Sequence, residues 1–112
     1  MTYLQNVFTI TIRFEWDELK NQRNIVERGL DFADAIEIVN KPVLLRADKR
    51  KNYGEDRFIA AGLSCGRLVF IVYTLRSADI IRIISFRRAN SRERKIYETE
   101  IKNRLETRGC ND

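Results

Sequence analysis

Arginine carries the chemical interest of this 112-residue chain, because several arginines fall inside segments that read as β-strands. Arg57 opens one such segment, Arg76 ends the next, and Arg82 and Arg87 lie in a third among Ile81, Ile83 and Ile84. A guanidinium donates two parallel hydrogen bonds to a phosphate, so arginines gathered on a sheet suit a phosphodiester. Without acids nearby, such a group is unfavourable until an anion neutralises it. The competing structural account pairs these arginines with Glu93, Asp56 or Glu15, or lets their stems snorkel along sheet edges. Other catalytic sets are missing. The chain has no histidine, so neither an imidazole-based triad nor a histidine-ligated metal can be built. Its five glycines are scattered and form no phosphate loop, and Cys65 and Cys110 lack metal-ligand spacing. The expectation is a site with no metal and no cofactor.

Cleavage of RNA can run on arginine and lysine, because the attacking 2′-hydroxyl arrives with the substrate. The protein has to align that attack, stabilise charge growing on the phosphoryl oxygens and move protons. Arginine is a poor base, which leaves Lys20, Glu93 and Tyr73 as conceivable proton carriers. Each also has an ordinary role open to it: Lys20 as a solvated helix residue, Glu93 as a helix cap, Tyr73 as core.

Charge distribution favours an anionic partner. Residues 1–40 carry four basic and seven acidic groups, a net of −3, and residues 41–112 carry seventeen and nine, a net of +8. Between Arg82 and Lys95 there are six basic groups and one acid. Nucleic acid is the commonest ligand of so lopsided a chain.

The elements that must position these residues are legible in outline. Residues 8–16 alternate, with Phe8, Ile10, Ile12, Phe14 and Trp16 on one face, which is the period of a half-buried strand. Asp17 suits a helix N-cap, and Gly29 suits the left-handed residue that ends that helix after Arg28. A second helix starts near Asp31 and stops before Pro42, and residues 43–45 can form a short strand. Arg46–Glu55 reads as an exposed loop. Strands follow at about 57–63, 67–75 and 80–87, joined by turns short enough to impose antiparallel pairing. Arg82 and Arg87 differ in parity, so an unbroken strand points them to opposite faces, and a bulge or the strand's end near Phe86 would bring them together. Arg82 would lie opposite either Tyr73 or Thr74. Asn90 and Glu93 make a capping-box pattern before a last helix with a narrow apolar stripe, Tyr97, Ile101 and Leu105. The expected fold is α+β in one domain, residues 1–112: strand, two helices, antiparallel sheet, C-terminal helix, with the helices on one side of the sheet. No apolar run is long enough for a membrane span, and the start has no signal-peptide pattern, so a cytoplasmic protein is expected.

The segment FEWD at 14–17 with Lys20, Asn24, Gly29, Phe32 and Ala35 resembles the opening of BrnT toxins. DRFIAAG (56–62), LVFIVYTLR (68–76), IRIISFRRA (81–89) and ERKIYE (93–98) resemble that family's later blocks, in order and at similar spacing. The resemblance implies a fold like that of RelE-type toxins and a metal-independent endoribonuclease that arrests translation. It implies RNA as substrate and a cognate BrnA-type antitoxin, with operator DNA bound only through the toxin–antitoxin complex, which the family forms from two copies of each chain. Lys20, Arg57, Thr74, Arg76 and Arg87 are the catalytic candidates on matching positions, and Arg82, Arg88 and Arg92 the RNA-binding ones. Two departures stand out. Many family members have Lys-His-Gly where this chain has Glu27-Arg28-Gly29. Residues 1–10 exceed the usual start; they would either lengthen the first strand or reflect an upstream start codon. The alternatives are a non-catalytic nucleic-acid-binding module, or a protein whose basic surface and last helix serve only to bind an antitoxin.

Overall fold

The computed structural model describes residues 2–4 and 11–104. Its elements are β1 (Thr2–Leu4), β2 (Thr11–Glu15), α1 (Glu18–Arg28), α2 (Phe32–Asn40), β3 (Leu44–Ala47), β4 (Arg57–Ser64), β5 (Arg67–Ser77), β6 (Ile80–Arg88) and α3 (Ser91–Arg104). Among the described residues the strands make one sheet in the order β1-β2-β6-β5-β4-β3. β3 to β6 pair antiparallel as expected, β2 joins β6 in parallel, and the sheet is therefore mixed. Short turns set the antiparallel part: Cys65 and Gly66 both take left-handed φ, 52° and 77°, in the two-residue link between β4 and β5. Residues 8–10 of the expected first strand, the side chain of Ile101, Leu105 and Cys110 lie outside the described residues.

β5 is buried without interruption from Leu68 to Thr74, which only a strand covered on both faces can be. Ala60, Ile71, Tyr73, Ile83 and Phe86 turn to one face and pack with Phe32, Ala35, Ile36 and Val39 of α2. Ile59, Ala61, Leu68, Phe70 and Val72 turn to the other, where Tyr97 of α3 meets the Phe70 ring edge-on. The helices thus lie on both sides of the sheet, which corrects the one-sided arrangement expected above. The run LVFIVYT has no polar alternation, and that is the physical sign of a two-sided burial.

Where β2 ends, α1 takes over as the neighbour of β6. Asp17 accepts from the Lys20 amide, and Gly29 closes the helix at φ 69°. The inward face of α1 is polar: Asn21 and Asn24 are its buried residues. Asn24 donates to the carbonyls of Leu30 and Phe86, and Asn21 bridges Asp31 and the Phe32 amide. The Asn24 bond satisfies the Phe86 carbonyl on the edge of β6 that β2 no longer covers, and the others tie α1 to the start of α2. Among the described residues no helix is long and apolar enough to cross a membrane.

Candidate active site

Register brings four side chains into one line across the sheet. Glu15 lies opposite Arg82, Arg82 opposite Thr74, and Thr74 opposite Arg57. All stand on the face that also carries Val72 and Phe70. Arg82 and Arg57 are two strands apart, about 10 Å at the backbone, so their long side chains can converge on one phosphodiester. A second irregularity, between Leu75 and Ser77, leaves Arg76 as an extra residue at the end of β5 and lets it reach the same group.

Acids do stand in the row, and Glu15, one of the partners the competing account named, is among them. Arg57 Nε lies 3.1 Å from Glu55, Arg76 lies 3.4 Å from Glu55 and 3.9 Å from Glu15, and Arg82 lies 3.5 Å from Glu15. Three guanidiniums and two carboxylates alternate in a chain, because like charges brought together on one sheet face need counter-ions between them. The two contacts to Glu15 are stretched, the two to Glu55 are hydrogen bonds of 3.1 and 3.4 Å, and all five side chains keep partial solvent access. They are held electrostatically and can be exchanged for phosphate oxygens.

Lys20 stands on α1 one helical turn before Asn24, close enough to Arg57 for that charge to act on it. Burial holds its ammonium pKa below the usual value, and the Arg57 charge adds to the effect. Counting Lys20, Arg57, Arg76 and Arg82 against Glu15 and Glu55 gives +4 − 2, a net of +2.

The remaining candidates are placed otherwise. The Thr74 hydroxyl is buried and donates to the Asp56 carbonyl at 2.6 Å, fixing the entry to β4. Ile84, two residues before Phe86, is an extra residue in β6, so a bulge rather than the strand's end brings Arg87 to the face of Arg82. Arg87 pairs opposite Phe70, two rows from Thr74, and makes a two-pronged bond to Glu93 at 2.8 and 2.9 Å. Glu93 also completes the capping box with Asn90, and its pKa falls to about 2. Arg88 donates to the Arg28 carbonyl, and Arg92 is exposed on α3. Tyr73 is in the core facing α2, where burial raises its phenol pKa. Of the three conceivable proton carriers, Lys20 is the one on which a charge of the row, that of Arg57, acts.

One feature escaped the sequence reading. The segment taken for an exposed loop is built on Asp48, whose carboxylate is buried and receives both prongs of Arg50 at 2.8 Å and the Tyr53 hydroxyl at 3.1 Å. Those bonds hold its pKa far below the usual carboxylate range. Tyr53 is thereby set beneath the Arg57 guanidinium, 4.1 Å from ring centre to Cζ. An aspartate two residues before an arginine and five before a tyrosine was the only signal, and it is a weak one. Among the described residues no three His, Cys, Asp or Glu side chains are grouped to hold a metal ion.

Comparison with known proteins bears on the whole arrangement. Residues 16–93 match the family model described as the ribonuclease toxin BrnT of type II toxin–antitoxin systems. The crystal structure of the Brucella abortus ribonuclease toxin BrnT is similar at 30% identity, with a TM-score of 0.56, over 72% of this chain and 100% of that one. Among curated proteins none matches. The matched span runs from Trp16 through Glu93 and so takes in Lys20, Arg57, Arg76 and Arg82; the chain belongs to the BrnT family of ribonuclease toxins.

Proposed function

We propose that this protein is a metal-independent endoribonuclease that arrests translation by cutting RNA, and that a BrnA-type antitoxin neutralises it and represses their operon with it. The observation that carries the catalytic part is the line Arg82–Thr74–Arg57, with Arg76 and Lys20 converging on it. The guanidiniums bind the phosphodiester and stabilise the negative charge that builds on its oxygens as the 2′-hydroxyl attacks. A substrate phosphate displaces Glu15 and Glu55 from the arginines. Lys20, its pKa lowered, takes or returns a proton at the reacting hydroxyls. Thr74 keeps Arg57 in register, and Arg87 holds α3 against the sheet through Glu93. Arg88 and Arg92 lie outside the row and extend the basic surface available to a longer strand.

The test is cleavage of a defined RNA in EDTA by purified protein, beside an Arg57→Ala/Arg82→Ala variant. Cutting by the wild type alone is expected. Absence of cutting by a folded, antitoxin-free protein overturns the nuclease reading and leaves a binding module.

A further inference from the structure

Beside the arginine row lies a cavity of about 350 Å³ whose walls differ from the row in charge and shape. Lys49, Lys51 and Arg57 line it together with Glu55, Asp56 and Asp48, whose buried carboxylate is already matched by Arg50, so the groups left to face the cavity sum to +1 against the row's +2. A second phosphate would meet Glu55 and Asp56 there. The ring of Tyr53 supplies flat apolar wall. Asn52 accepts from the Gly54 amide through Oδ1, which leaves its carboxamide N–H groups as donors.

The Tyr53 ring is held in place before any ligand arrives. Its hydroxyl is tied to buried Asp48, the Arg57 guanidinium lies over it, and the Lys51 ammonium is 5.1 Å from its centre. Arg57 belongs to both regions, since its Nε also holds Glu55 in the row. A ligand that places an anionic group on the row and a flat, uncharged, hydrogen-bonding ring in the cavity would use both at once. That is the shape of one nucleotide.

We infer that the Tyr53 cavity is a nucleobase subsite, which takes the base adjoining the phosphate bound by Arg57 and Arg82 and so contributes to where the strand is cut. This rests on the RNA-binding reading above. Stacking on a preset aromatic ring and guanidinium supplies affinity. The Asn52 donors and the acidic rim meet the base edge and distinguish one base from another.

The test uses a short 2′-O-methyl RNA, which cannot be cut, with each base removed in turn to leave an abasic site. Binding to the intact wild-type protein is measured across a range of salt. One position, or two neighbours, should lose about tenfold or more in affinity when its base is removed. In Tyr53→Leu the full oligonucleotide should bind about tenfold more weakly, the sensitive position should become insensitive, and the salt slope should stay as in wild type, because a base contact releases no counter-ion. Tyr53→Phe keeps the ring and should bind within about threefold of wild type. The abasic series needs no variant, so it stands even if Tyr53→Leu does not fold. An equal response at every position, or a Tyr53→Leu that keeps its sensitive position, overturns the subsite while salt-dependent binding upholds the RNA reading. No salt-dependent binding by the wild type overturns both.

Discussion

Arg82 and Arg87 lie five residues apart on one strand and one face, yet they are held in opposite ways. Arg87 grips Glu93 with two prongs at 2.8 and 2.9 Å, and that carboxylate is also locked into the cap of α3. Arg82 touches Glu15 at 3.5 Å, and its neighbour Arg76 divides itself between two carboxylates at 3.4 and 3.9 Å. A pair with satisfied geometry gains nothing by releasing its partner. A pair held beyond hydrogen-bond length gains a full charge-assisted bond when a phosphate arrives. The same residue type is thus structural at one end of the sheet face and available for ligand at the other, and contact geometry separates them where charge counting cannot.

The largest expected effect tests that division directly. Arg57→Ala/Arg82→Ala should lower RNA cleavage about 100- to 1,000-fold, the scale of losing charge stabilisation at a phosphoryl centre. Its melting temperature should fall only slightly, since the exposed Arg82 pair contributes little and Arg57 gives up one partly exposed bond to Glu55 and its contact with the Tyr53 ring. Arg87→Ala should do the reverse, with a lower melting temperature and cleavage cut much less. Equal losses of cleavage in the two variants would erase the contrast. Lys20 sharpens the same end of the comparison. If its neutral amine takes the proton, cleavage rises with pH through a value below the ordinary 10.5, because its folded pKa is depressed. Lys20→Arg keeps the charge but stays protonated, so it should flatten that rise and lose roughly 10- to 100-fold in rate. A pH–rate profile unchanged in Lys20→Arg removes the residue from proton transfer.

A third region, the Asp48 turn, resembles the Arg87 end in being fully matched, and its expected effect falls on stability. Asp48→Ala frees Arg50 to solvent but strands the Tyr53 hydroxyl, with a loss of about 2–3 kcal/mol. Denaturant melts check this. The same variant should weaken RNA binding more than Arg50→Ala, since it also unseats the ring beside Arg57.

Much of the fold was legible because it is written in local chemistry. Asp17, Gly29, Asp31 and the Asn90–Glu93 box announce helix ends through bonds made within a few residues. Alternation and short links announce the antiparallel strands. What stayed hidden depends on contacts distant in sequence. The parallel pairing of β2 with β6 joins residues more than sixty positions apart, and nothing near Arg13 or Ile80 signals it. The Ile84 bulge decides which face Arg87 occupies, yet an extra isoleucine in an isoleucine-rich strand leaves no compositional trace. The candidate arginines were identifiable by type, and Glu15 and Glu93 among their counter-ions, but Glu55 was not, since it reaches Arg76 only after β4 and β5 have paired. Position 28 shows the same limit: Arg28 lies on the seam between α1 and β6, donating to the Phe86 carbonyl, a placement no local pattern foretold.

The smallest expected effect separates the two arginine settings by pH. The Glu93 carboxylate is held near pKa 2 in the folded protein, chiefly by Arg87, against an ordinary value of 4.5. A depressed folded pKa stabilises the fold above the unfolded value, so this contribution is complete above about pH 5 and disappears as pH falls from 4.5 toward 2. Glu93→Gln cannot ionise and lacks it. Wild type should exceed the variant by about 1 kcal/mol at neutral pH, discounted because Arg87 is partly exposed, and the gap should close in acid. Taking the difference between the two proteins removes the acid response of Asp48, which both retain. Glu15→Gln, at the stretched end of the face, should cost only about a few tenths of a kcal/mol at neutral pH, because its contacts are long and exposed. A Glu15→Gln loss as large as that of Glu93→Gln would mean the arginine row is built for stability, like Arg87, and would remove the reason for assigning it to RNA.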